Sequence, residues 1–113
     1  MKPMPEDECG FSVALNAVSG KWKTAILWEI HSQPRRFGEL RRLLKGVSEK
    51  VLTEKLRQME SDGLITRTVY PETVRRVEYA VTDIGLSLNT AVHAMSDWGR
   101  LHAARAALRE LVA

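Results

Sequence analysis

Residues 48–62, SEKVLTEKLRQMESD, decide how this chain is read. Leu52, Leu56 and Met59 recur at i, i+4 and i+7 and, with Val51, give a helix one apolar stripe. The other side carries Lys50, Thr53, Glu54, Arg57 and Gln58, side chains able to donate to phosphates or to read base edges. Ser48 is placed to cap the first turn through its hydroxyl, and Gly63 stops the helix.

The preceding residues 37–44, FGELRRLL, set Phe37, Leu40, Leu43 and Leu44 against Arg41 and Arg42, a second short amphipathic helix. Lys45, Gly46 and Val47 separate the two. A short helix, a glycine-containing turn and a second helix with a polar outer face make the helix-turn-helix pattern, whose second helix enters the DNA major groove. An ordinary helical hairpin in an all-α core gives the same spacing, so the pair alone leaves both open.

After Gly63 the apolar period changes from helical to alternating. Residues 64–70, LITRTVY, and 75–81, RRVEYAV, read as two strands joined by Pro71, Glu72, Thr73 and Val74. A hairpin bearing Arg75 and Arg76 directly behind a helix-turn-helix fits a wing that lies along the DNA backbone. A plain edge hairpin with a charged tip is the structural alternative. Arg67 could touch a phosphate or pair with Glu78 on the neighbouring strand.

The charge distribution favours DNA. The whole chain of 113 residues has a formal charge of +3 and a pI near 9.3. From Arg35 to Arg76 eleven Lys or Arg face six acidic residues, a net of +5, so the rest is net negative. Cationic charge gathered where the helix pair sits suits a polyanionic partner. A winged helix used only to bind protein would not need it.

The length suits one domain with one core. Residues 1–10 contain two prolines and the acidic Glu6, Asp7 and Glu8, and are expected to form an N-terminal arm, with the winged domain over 11–113. A first helix is expected over 11–18 with Phe11, Ala14, Leu15 and Val18 inward. A second is expected over 21–32 with Trp22, Ile26, Leu27 and Ile30 inward and Lys21, Lys23 and Glu29 outside. Thr82 caps a long last helix, 82–113. Its apolar positions Leu88, Val92, Met95, Trp98, Leu101, Leu108 and Leu111 exceed what a small domain covers, which points to a homodimer. A two-fold pair would hold its recognition helices about 34–36 Å apart on a palindromic operator. Trp22, Trp28 and Trp98 are expected in core or dimer packing.

The fold class expected is therefore α+β, mainly α: a winged helix-turn-helix with a two-stranded β-hairpin wing and a long C-terminal dimerisation helix. No apolar run suits a signal peptide or a membrane span, so a cytoplasmic protein is expected. The single cysteine, Cys9, cannot close a disulfide within one chain. His31, His93 and His102 stand at no metal-ligand spacing, and no phosphate loop or nucleophile elbow occurs, so neither enzyme chemistry nor a cofactor or metal is expected. The DNA-binding set is Lys50, Thr53 and Arg57, with Ser48 and Gln58 on the same helix, for the major groove. Arg36, Arg41, Arg42, Arg75 and Arg76 are assigned to backbone contacts.

Over nearly its whole length the chain resembles the HxlR-type regulators, relatives of the MarR winged helices. The likeness rests on Cys9; Gly20-Lys21-Trp22-Lys23; Arg36-Phe37 with Glu39-Leu40-Arg41; and Ser48, Leu52, Thr53 and Leu56. It continues through Asp62-Gly63-Leu64-Ile65, Arg67, Tyr70-Pro71, Val77-Glu78-Tyr79, Thr82, Gly85 and Trp98-Gly99. It implies a homodimeric bacterial transcriptional regulator with residues 48–58 in the major groove, and leaves room for a small-molecule effector of which the sequence carries no sign. Several such proteins sense oxidants or electrophiles through a cysteine placed like Cys9, which needs an accessible thiol of lowered pKa. Gly10 after Cys9, where proline is frequent, departs from the pattern, as does the wing sequence Thr73-Val74-Arg75-Arg76 without its common proline.

Overall fold

The computed structural model describes residues 10–112, so Cys9 and the expected arm before it lie outside the described residues. The elements are α1 Gly10–Val18, α2 Lys23–Ile30, β1 Arg35–Arg36, α3 Phe37–Leu43, α4 Glu49–Ser61, β2 Ile65–Tyr70, β3 Arg76–Val81 and α5 Asp83–Val112. Together they form a winged helix-turn-helix followed by a long helix.

The core lies where the apolar stripes of α2, α3 and α4 meet. Ile26, Leu27, Leu40, Leu52 and Met59 lose all contact with solvent, and Ile30, Leu56 and Ile65 nearly all. Each such side chain contributes about 1.5–3 kcal/mol by leaving water. Leu44 and Val47, at the two ends of the α3–α4 turn, are also buried. Gly46 between them has φ +91°, which only glycine adopts without strain, and the tip of the Trp22 ring lies close beside it.

α4 ends as its sequence requires. Gly63 takes φ +76°, its N–H donates to Glu60 O at 3.0 Å, and the Leu64 N–H donates to Met59 O at 2.9 Å. This pair of bonds reverses the chain into β2 and buries Leu64 beside Met59.

The sheet has three strands in the order β1-β3-β2, all antiparallel. The hairpin β2–β3 is the expected wing, in register Arg67↔Tyr79 and Thr68↔Glu78. β1, which the sequence did not announce, adds Arg35↔Tyr79 and Arg36↔Glu78. Two residues are too few for a period to show, while Pro34 before them favours extended chain. The register puts Arg67 and Glu78 on opposite faces of the hairpin, so the cross-strand ion pair considered for them does not form.

The wing base and α5 are joined by one residue. The Thr82 hydroxyl lies 2.7 Å from Gly63 O and 3.0 Å from Leu64 O, and the Thr82 N–H donates to Leu64 O at 3.1 Å. The same hydroxyl oxygen accepts the Gly85 N–H at 3.0 Å, the expected N-cap of α5. Gly85 is buried against this junction: a Cβ there would lie 2.2 Å from Leu64 O and 2.7 Å from Val81 Cγ2.

Two sequence expectations need correction. α2 starts at Lys23 rather than Lys21, and Lys23, expected outside, is only 6% exposed. Phe11, Ala14 and Leu15, expected inward, are exposed, because in the single chain α1 meets little beyond Ala17 and Val18. On α5 the half-buried residues Leu88 and Val92 face the core, and Met95, Trp98, Leu101, Leu108 and Leu111 stand in solvent, the surplus of apolar surface noted in the sequence. Trp28 is also about half exposed, stacked on His31 with His93 tilted against it. No described helix is long and apolar enough to cross a membrane.

Candidate nucleic-acid interface

The candidate surface is built on α4, whose burial follows its sequence. Leu52, Leu56 and Met59 are inside, so Lys50, Glu54, Arg57 and Gln58 are exposed and Thr53 is half-buried at the edge of that face. Ser48 caps the helix as expected, its hydroxyl accepting the Val51 N–H at 3.1 Å. The Thr53 hydroxyl donates to Glu49 O at 2.8 Å, which leaves its oxygen lone pairs and methyl group for an incoming base edge.

α3 makes polar contacts near both ends. At its start the Glu39 carboxylate accepts the Arg36 N–H at 3.0 Å and lies 3.7 Å from the Arg35 guanidinium. That backbone hydrogen bond first, and the Arg35 charge after it, hold the Glu39 carboxyl below its ordinary pKa, against the opposing effect of desolvation. At its other end Arg41 lies 3.8 Å from Glu49 at the start of α4. Arg42 exposes its side chain on the same helix, and Arg36 does so from β1 just before it.

The wing arginines have different settings. Arg75 is exposed. Arg76 lies 4.2 Å from the Tyr70 ring centre, 3.2 Å from Glu72 and 3.8 Å from Glu78, so its charge is answered within the wing. Between wing and α4 a shallow hollow is lined by Thr53 and Arg57 from the helix and Arg67 from β2, with Glu49 and Glu60 beside them. Arg67 thus lies beside the polar face of α4, within reach of the same surface as Thr53 and Arg57.

Lys55 was missed. It lies on the flank of α4 toward α2, in a hollow shared with Lys23, Arg57 and Gln58. Its spacing of three and seven residues from Gln58 and Asp62 would have placed it there. Among the described residues no cluster of three His, Cys, Asp or Glu side chains could hold a metal ion.

The arrangement has known counterparts. The HxlR-like helix-turn-helix family pattern matches residues 17–107. An uncharacterised HTH-type transcriptional regulator of Methanothermobacter thermautotrophicus is 40% identical over 101 residues, covering 88% of this chain and 77% of that protein. A crystal structure of a protein assigned to the MarR family of transcriptional regulators, from Enterococcus faecalis V583, superposes with a TM-score of 0.82 at 36% identity, over 92% of this chain and 94% of that one. The redox regulator HypR in its oxidised form superposes with a TM-score of 0.75 at 34% identity, over 81% of this chain and 95% of that one. With a capped α4 displaying its polar face beside a β-hairpin wing, the chain belongs to the HxlR-like helix-turn-helix family of DNA-binding transcriptional regulators.

Proposed function

We propose that this regulator binds a specific duplex DNA sequence as a homodimer, with α4 in the major groove and the wing beside it. The observation that carries this is α4 itself: one side is wholly buried, and the other offers Lys50, Thr53, Arg57 and Gln58 on a helix fixed by Ser48 and Arg41. Lys50, Thr53 and Arg57 read base edges, with Gln58 beside them. Arg36, Arg41, Arg42 and Arg75 contact phosphates, and Arg76, assigned with them from sequence, acts mainly by shaping the wing.

Support for the dimer comes from the apolar residues that the single chain leaves in water. Phe11 and Leu15 on α1 and Met95, Trp98, Leu101 and Leu108 on α5 are each about half exposed or more. A monomer rarely leaves so many large apolar side chains exposed without a partner for them. A two-fold arrangement through these helices calls for a palindromic operator.

The test is binding of the reduced protein to duplex from upstream of its own gene against scrambled duplex, across a salt series. A preference of about a thousandfold with a slope implying several phosphate contacts supports specific regulation. Absence of binding to either duplex at low salt would leave a protein-interaction module as the better account.

Oxidant sensing through Cys9, the chain's one cysteine, is the proposed input. The likeness to HypR, described as a redox regulator, supports it. Cys9→Ser should abolish any oxidant-induced change in DNA binding, and a response that survives the substitution refutes the role.

A further inference from the structure

The family-pattern residue Lys23 has no task in the interface described above. It is only 6% exposed, and no ion pair or side-chain hydrogen bond among the described residues involves it. Its aliphatic stem is packed inward while the ammonium keeps contact with water. Its surroundings add positive charge. Lys23, Lys55 and Arg57 line one open hollow of about 500 Å³ between α4 and the α1–α2 turn, with hydroxyls from Ser19 and Ser61. Asp62 is the acidic residue of that lining and pairs with none of the three cations.

One backbone feature strengthens the convergence. Gly20 takes φ +97°, and a Cβ there would lie 3.7 Å from Lys55 Nζ, so the Lys55 ammonium rests against the turn leading into α2.

We propose that this hollow is an oxyanion site for a phosphate group, held by Lys23 and Lys55 with Arg57 at its edge and the Ser61 hydroxyl as a further donor. The phosphate has two sources of the same chemistry: a backbone phosphate of DNA flanking α4, or a free phosphorylated or inorganic anion. The first source rests on the DNA-binding role proposed above; the site itself does not.

The experiment has two arms on the full-length protein. In the first, inorganic phosphate is titrated at constant ionic strength while backbone amide NMR signals of the α1–α2 turn and the end of α4 are followed. Saturable shifts are expected, with the apparent Kd raised at least tenfold by Lys23→Met, which keeps the aliphatic stem, and by Lys55→Gln. Lys50→Gln, outside the hollow, should leave the titration unchanged. In the second arm, the salt dependence of duplex binding is compared for the same variants. A slope reduced by about 0.9 in Lys23→Met and Lys55→Gln assigns the phosphate to DNA, whereas saturable phosphate binding with an unchanged slope assigns it to a free anion. Absence of saturable shifts together with unaltered slopes in both variants overturns the site. Should the unaltered protein bind no duplex, the first arm decides alone, so failure of the site and failure of the DNA-binding role stay distinguishable.

Discussion

Replacing Gly85 by alanine tests whether α5 is locked to the wing base. Helix propensity alone makes Gly→Ala inside a helix stabilising by about 1 kcal/mol. Contact geometry opposes it: the added Cβ would meet Leu64 O at 2.2 Å, Val81 Cγ2 at 2.7 Å and the Leu64 carbonyl carbon at 3.2 Å. Carbon and carbonyl oxygen ordinarily approach no closer than about 3.3 Å, so the Leu64 backbone or α5 must move by about 1 Å. The same carbonyl accepts the Thr82 N–H at 3.1 Å and lies 3.0 Å from the Thr82 hydroxyl, so movement weakens these bonds as well. Overpacking of about 1–3 kcal/mol and roughly 1–2 kcal/mol of weakened hydrogen bonding outweigh the propensity gain. A net loss of about 2–3 kcal/mol is expected, read as a fall in Tm of about 10–20 °C. Circular dichroism melts and urea titrations at one fixed protein concentration measure it. A Gly85→Ala protein as stable as the original, or more so, would refute a close approach at this joint.

Glu39 supplies a pH-dependent contribution. Its pKa is depressed in the folded chain, so its stabilisation is complete above the ordinary glutamate value of 4.5 and is lost as pH falls through the folded value. Glu39→Gln should therefore flatten the loss of stability below pH 4.5, as followed by thermal melts between pH 3 and 7. Arg75→Ala should lower the log–log salt slope of DNA binding by about 0.9 with no change in Tm, whereas Arg76→Ala should cost about 1 kcal/mol of stability through lost contact with Tyr70 and Glu72. Equal behaviour of the two variants in both assays would refute the division of labour. Leu101→Asp, at an exposed α5 position, should leave the monomer fold intact and move sedimentation from dimer to monomer. An unchanged sedimentation coefficient would place the partner surface elsewhere.

The helix-turn-helix was legible because α4 has one strict stripe: Leu52, Leu56 and Met59 are all inside, and the cap and stop at Ser48 and Gly63 act as their residue types suggest. The wing was legible from composition, since residues 64–70 and 75–81 are rich in β-branched and aromatic side chains and are bounded by Gly63 and Pro71, although burial alternates in neither β2 nor β3. β1 was not, because Arg35 and Arg36 are defined by pairing with Tyr79 and Glu78, a long-range event with no local pattern. Periodicity also misjudged α1: Phe11 and Leu15 mark an apolar side, yet nothing in spacing says whether a core or another chain covers it. Lys23 failed in the opposite sense, since a lysine beside a glycine turn reads as solvated until the turn folds α4 over it. Of the wing arginines, sequence could not separate Arg75 from Arg76, whose difference arises from Tyr70, Glu72 and Glu78 closing around one of them.

The joint at Thr82 and Gly85 also sets a mechanical tolerance. α5 has 30 residues, so its far end stands about 45 Å from this pivot. A tilt of about 5° at the pivot moves that end by about 4 Å, already more than the roughly 3.4 Å rise of one DNA base pair. One hydroxyl shared between two carbonyls and one glycine with no room for a methyl group therefore act as a stiff hinge pin. Such a pin lets a long, thin helix serve as a ruler.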